Sequence, residues 1–415
     1  MKRAVFFAYV WPESFSSAAG VRTLELAECL NKIDYQVTFL SPCKENEASD
    51  QVRKSGFSTR SCELNNRESL DFLKSLAPDL IIFDRFITEE QFGWQVRSLC
   101  PSATLIIDTQ DLHCLRRARE SHLKTISDLA FVPSSVQPSG EDRARELASF
   151  YRADGVLVVS RFEEKLLYSL GFENERIYYC PFSPSRQASS QGPSFLERKG
   201  FVFLGNLRHP PNLDSLRWIR KYLWPLLRTK IKGATFTIIG AYPPKEVSSW
   251  HGKDGITLMG NHPNPYEVLN QSRVMLAPLR FGAGIKGKIL DAWNNGLPVV
   301  ASPMALEGMS DLIPSFSTPE EFCQISFSLH EEESKWKEWQ DLAKIEVKKF
   351  SDENIQKLFL TSVEKIHSCK EKNRAHPVAE ILRLSQMQST KYFSLWIEEK
   401  NKIAKKGEQN SPLFD

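Results

Sequence analysis

The sequence predicts an α/β protein made of two doubly wound domains that face each other across a cleft. Three observations lead there. The chain has 415 residues, more than one ordinary core accommodates. Short, almost wholly apolar runs alternate with longer amphipathic stretches, as parallel strands buried on both faces and covered by helices do. The alternation breaks once, at SPSRQASSQGPSFLERKG (183–200), and then starts again.

In the first half the strand candidates are AVFFAYV (4–10), QVTFLS (36–41), LIIFD (80–84), ATLIID (103–108), GVLVVS (155–160) and RIYYCPF (176–182). Helix-like stretches such as VRTLELAECLNKI (21–33) and RESLDFLKSLA (67–77) lie between them. The N-terminus, MKRAVFFAYVWP, has two basic residues before an apolar stretch, but Pro12 and Glu13 interrupt it. It reads as a buried first strand rather than a secretory leader. The stretch 183–199, rich in Ser, Pro, Gly and Gln, reads as a linker. After it come GFVFLGN (200–206), NLDSLRWIRKYLWPLLR (212–228), ATFTIIGA (234–241), GITLMGN (255–261), RVMLAPL (273–279), KGKILDAWNNG (286–296) and LPVVAS (297–302). From about residue 318 the pattern is helical, and the tail KNKIAKKGEQNSPLFD (400–415) is polar. The expected organisation is a domain over 1–182, a linker over 183–199, a second domain over 200–365 and a helical extension over 366–415.

The bulk properties exclude some partners. A net charge of +3 gives no reason to expect nucleic acid. The eight cysteines, from Cys29 to Cys369, are scattered without a CxxC, as reduced thiols of a cytoplasmic protein are. No apolar run approaches the roughly 20 residues of a membrane span. The basic runs LRRARESHLK (115–124) and RWIRKYLWP (217–225) have two readings. Helical spacing points to a core stripe with a wet charged face, while a peripheral patch at the inner membrane face stays open.

The chemistry concentrates in PLRFGAGIKGKILDAWNNGLPVVASP (278–303). Gly282 and Gly284 follow an apolar run, and Lys286 and Lys288 open a helical pattern. A helix start exposes unpaired amides, glycine lets a phosphate approach the backbone, and lysine adds a point charge. The stretch reads as a cradle for a phosphate or diphosphate. It is not a P-loop, since GxxxxGK[ST] is absent, and the first strand is followed by a single Gly20 rather than GxGxxG. Asp291, three residues after Lys288, lies within reach of a ribose hydroxyl. No Asp-x-Asp pair occurs, so the expected leaving-group stabilisation is by lysine and helix dipole, with no metal and no cofactor.

These residues resemble the GT-B glycosyltransferases of family 4, also called glycosyl transferases group 1, over roughly 1–365. The segments that carry the resemblance are AAGVRTLELAECL, LIIDTQDLHCLRRARE, VLVVSRFEEKLL, FLGNLRHPPNLDSLRWI and APLRFGAGIKGKILDAWNNGLPVVASPMALEGM. The resemblance implies transfer of a sugar, with retention, from a nucleotide-sugar donor held by the C-terminal domain to a glycan, lipid-linked or other hydroxyl acceptor on the N-terminal domain. Gly282, Gly284 and Lys286, with Lys288, map onto its diphosphate turn. Asp291 stands where the family usually has a ribose-binding glutamate, and Ala283 where a further glutamate is usual. The resemblance implies donor-side roles for Gly20, Arg208 and Glu307, and places Asp111 and His113 in the cleft as catalytic candidates, with Gln110 the alternative to His113. Because of Ala283 and Asp291, a catalytically silent relative that binds nucleotide sugar or glycan as a scaffold is the alternative reading.

Overall fold

The computed structural model describes residues 1–13, 17–184, 192–262 and 264–409, with side chains to 404. The first sheet comprises β1 (Lys2–Phe7), β2 (Tyr35–Ser41), β3 (Ser58–Ser61), β4 (Leu80–Asp84), β5 (Thr104–Asp108), β6 (Gly155–Val158) and β7 (Ile177–Tyr179), in the order β3-β2-β1-β4-β5-β6-β7. The second comprises β8 (Lys199–Leu204), β9 (Phe236–Ile239), β10 (Ile256–Gly260), β11 (Ser272–Ala277) and β12 (Val299–Ala301), in the order β10-β9-β8-β11-β12. Every pairing is parallel.

The apolar runs explain this. All five residues of β4 and of β5 are buried, as strands covered by helices on both sides require. Strand β3 is STRS, an exposed edge strand, which no apolar run announces.

In each sheet the chain reverses its direction of winding between two central strands: β1 and β4 in the first, β8 and β11 in the second. Register fixes these seams, with Ala4 beside Leu80 and Val274 beside Phe201. Connections from the two seam strands leave to opposite sides, so a crevice opens beyond their carboxyl ends.

The domain boundaries differ from the expected ones at both junctions. Residues 185–191 of the expected linker lie outside the described residues. Residues 192–199 already belong to the second domain: Phe195 packs edge-on against Trp336. Buried Arg198 donates to the carbonyls of Leu269, Ser272 and Asn295. At the other end the helix Asp352–Arg374 runs straight through residue 365. Its Ile355, Phe359, Val363 and Ile366 share one core with Ala4, Phe6 and Phe39 of the first domain. The chain therefore crosses back, and Gly155 makes room for it, since a Cβ there would stand 2.5 Å from the Ile366 side chain. The helices Pro377–Gln388 and Thr390–Gln409 follow on the first domain.

Candidate active site

The two seams face each other across a cleft of about 620 Å³. On one side stand Tyr9 after β1, Arg85 after β4, and Gln110, Asp111 and His113 after β5. On the other stand Asn206, Arg208 and His209 after β8 and the loop 282–288 after β11.

The loop has the backbone that its glycines allow. Gly282 and Gly284 have φ of 154° and 64°, values that L side chains rarely adopt. Lys286 is the N-cap of the helix Gly287–Asn294, and no side chain caps that end, which leaves its first amides to a ligand or water. Lys286 Nζ is 2.5 Å from Gly284 O and 3.4 Å from Ala283 O. Burial pushes its pKa down to about 8, against the pull of Glu307. Lys288 Nζ lies 2.5 Å from Asn212 Oδ1 and 4.5 Å from the Phe203 ring centroid. Burial and then the Lys286 charge bring it down to about 7. Asp291 lines the same wall on the same helix. Arg208 stacks its guanidinium on the Tyr242 ring at 3.7 Å and also lines the cleft.

On the first domain Asp111 pairs with Arg116 at 2.6 Å and with His113 at 3.3 Å. Burial alone would raise the pKa of Asp111, but the Arg116 guanidinium outweighs it and holds the carboxylate ionised. His113 packs edge-on against Phe86. Its burial, reinforced by neighbouring arginines, brings it down to about 4, so the imidazole is neutral at pH 7. His209 stands across the cleft on the exposed turn before the helix Pro210–Trp218. The cleft thus carries arginines, two buried lysines whose charge a bound anion would favour, a fixed carboxylate and the neutral imidazole of His113. Such a set binds an anion and orients hydroxyls.

Seven of the predicted residues line the cleft: Asp111, His113, Arg208, Gly282, Lys286, Lys288 and Asp291. Three do not. The Cβ position of Gly20 is filled by the Glu13 backbone, whose carbonyl oxygen would be 2.5 Å away, so this glycine seats residue 13 against its helix. Gly284 turns towards the first domain, where a Cβ would meet Asp111 Cβ at 3.1 Å and Gln110 O at 3.2 Å. Glu307 is held by Arg119, whose two terminal nitrogens donate to its oxygens at 2.7 and 2.8 Å.

Two residues that sequence reasoning missed tie this loop to the first domain. Glu163, on the helix Arg161–Ser169, accepts from Gly284 N at 2.8 Å. Arg119, with its side chain fully buried, donates to Gly282 O at 2.8 Å. Both sit in helical segments where a charge reads as solvated. Arg119 lies within the run 115–124 that was expected to be wet or membrane-facing; Arg116 of the same run faces the cleft. In the second basic run Trp218 and Trp224 are core residues. The apolar stripe of the second run is core, as the helical spacing suggests. Among the described residues no helix is long and apolar enough to cross a membrane.

Residues 198–325 match the family described as Glycosyl transferases group 1. No curated protein matches the chain in sequence. Among solved structures the chain is similar to Anabaena Alr3699/HepE in complex with UDP-glucose. The two share 11% identity and a TM-score of 0.65, with 88% of this chain and 100% of that one covered. It is also similar to sucrose-phosphate synthase from Thermosynechococcus elongatus, at 13% identity and a TM-score of 0.60 over 89% and 100% of the chains. The lipopolysaccharide outer core galactosyltransferase WaaB has 15% identity and a TM-score of 0.57 over 88% and 99%. The architecture is the GT-B fold. Within its second domain, residues 198–325 are the stretch that matches the glycosyl transferases group 1 family.

Proposed function

We propose that the chain transfers a sugar from a nucleotide-sugar donor to a hydroxyl acceptor, a glycan or a lipid-linked glycan, as a retaining enzyme of family 4. The observation that carries this reading is the placement of Lys286, Lys288 and the uncapped helix start at Gly287 on one wall of the interdomain cleft. A diphosphate seated there meets two ammonium groups and free amides. Charge building on the departing nucleotide is stabilised by these groups without a metal or cofactor. The acceptor approaches from the first domain, past Asp111 and His113. Front-face attack by the acceptor hydroxyl, on the side from which the nucleotide leaves, retains configuration. The neighbour bound to UDP-glucose makes a uridine donor the first to try. The enzyme works in the cytoplasm, at the inner membrane face where the acceptor is lipid-borne.

The test is thermal unfolding with UDP-, GDP-, ADP- and dTDP-sugars, followed by release of the nucleoside diphosphate with glycan and lipid acceptors. Saturating donor at 100 times its Kd adds about 2.7 kcal/mol of stability, so the preferred base shows as a raised Tm. No shift with any donor overturns the reading. Binding without turnover across the panel favours the scaffold reading, for which Ala283, buried in the loop, and the short Asp291 carboxylate are the motive.

A further inference from the structure

We propose that the C-terminal helices Pro377–Gln388 and Thr390–Gln409 form a docking surface for an anionic lipid membrane. On these helices Ile381, Leu384, Tyr392, Phe393, Trp396 and Ile403 are each between 58% and 69% exposed. Phe393 and Trp396 stack with their ring centroids 5.9 Å apart.

The opposite side of the same helices is polar and anchored. Arg383 donates to Arg152 O at 3.0 Å, Gln386 donates to the carbonyls of Glu89 and Glu90, and Glu398 pairs with Arg67 at 3.1 Å. A helix on a water-facing surface buries its apolar stripe and wets its polar one. Here six large apolar side chains stand outside while Gln386, Ser394 and Glu398 are buried alongside Ala379, which fits helices whose outer surroundings are not water.

The chemistry of the patch selects lipid over a second copy. Lys391 Nζ lies 5.6 Å from the Tyr392 ring centroid and Lys400 Nζ 5.4 Å from that of Trp396. Lys402 follows, paired with Glu398 and Glu399. Protein interfaces are depleted in lysine. Helices lying in a membrane interface combine Trp, Phe and Leu with flanking lysines, which attract anionic headgroups. The helices rest on the first domain, so docking would present that domain to the bilayer. The docking stands on the helices alone; its link to a lipid-borne acceptor rests on the function proposed above.

The experiment is co-sedimentation of the full chain with vesicles of phosphatidylglycerol mixed with phosphatidylcholine, and with phosphatidylcholine alone. Binding is expected on the anionic vesicles and about tenfold weaker on the neutral ones. A Phe393→Ser/Trp396→Ser variant should bind the anionic vesicles at least about tenfold more weakly. Lys391→Gln/Lys400→Gln should weaken the anionic binding alone. Phe393, Trp396 and Lys400 are exposed and Lys391 is half-buried, so Tm should change little, and a donor-induced Tm shift should persist in both variants whichever way the vesicle result falls. Failure of the wild type to bind either vesicle overturns the proposal. So does a wild-type dimer in analytical ultracentrifugation that the Phe393→Ser/Trp396→Ser change dissociates, because a second copy then covers the patch.

Discussion

Glu163 takes the backbone amide of Gly284 at 2.8 Å, and the same oxygen takes the amide of Leu112 at 2.9 Å. One carboxyl group of the first domain therefore fixes both the glycine loop of the second domain and the loop that carries Asp111. The cleft is built by a shared acceptor rather than by two independent halves.

Glu163→Leu should leave both buried amides without an acceptor. Each such loss costs about 1–3 kcal/mol, so stability should fall by about 2–6 kcal/mol, read by urea unfolding. The loop would also lose its register against the cleft, and donor KM should rise more than kcat falls. Glu163→Gln keeps an oxygen acceptor and should restore most of both. A Gln variant as impaired as Leu would show that the bridge does not position the loop.

The same group predicts a pH dependence. Burial pushes Glu163 up to about 8 from its ordinary 4.5, against the pull of the two amides. The folded state then holds a proton that the unfolded state has released between those values. Its contribution is complete below about pH 4.5 and is lost as pH rises towards 8. Glu146, pushed up to about 7 by burial, acts in the same direction. The Glu163 contribution should fall between pH 5 and 8, opposed by that of His113, which is brought down to about 4; the stability difference between wild type and Glu163→Gln should therefore change by on the order of 2–4 kcal/mol across that range. Equal slopes would place the carboxyl at an ordinary pKa.

Donor binding should weaken in the same alkaline direction for a different reason. In the free protein Lys288 is brought down to about 7 and Lys286 to about 8, both chiefly by burial. A diphosphate favours their charged forms, so binding takes up protons above pH 7. Affinity measured by calorimetry should fall on the order of tenfold between pH 7 and 9, with an enthalpy that depends on the buffer. Lys286→Ala should lose most donor turnover and flatten the profile. Wild-type turnover in that variant would remove Lys286 from the phosphate site.

Much of this cleft was legible in the chain, for reasons that particular residues make plain. The run LIIFD announces β4 because a strand buried on both faces needs no polar residue. The turn GAGIKGKILDA announces its site because phosphate binding needs glycine, lysine and a helix start within a few residues of one another. Strand β3 was silent because an exposed edge strand, STRS, has no apolar period. Glu163 and Arg119 were silent because their partners lie 121 and 163 residues away in the chain. Locally they read as the wet side of a helix. The return of the helix Asp352–Arg374 to the first domain escaped notice for the same reason, since an amphipathic period says that one face is buried but not against what. At Gly20 and Gly284 the space a Cβ would need is taken by protein atoms, Glu13 backbone and the Gln110–Asp111 segment, which no local pattern announces.

The pair Arg119–Glu307 supplies the sharpest separation of stability from chemistry. Arg119 is buried, binds both oxygens of Glu307, and also holds Gly282 O at 2.8 Å. Removing one member strands the other charge in a low-dielectric site, which costs about 3–5 kcal/mol. Arg119→Met and Glu307→Leu should each lower stability by that order. Replacing both removes the stranded charge, so the double variant should recover part of the loss, about 1–3 kcal/mol relative to the sum of the singles. It should not recover donor affinity, because Gly282 O still lacks its donor and the loop is free to shift. If Glu307 instead touched the donor directly, Glu307→Leu alone would raise KM with stability unchanged. Unfolding and donor titration on the three variants decide between a positioning pair and a ligand contact.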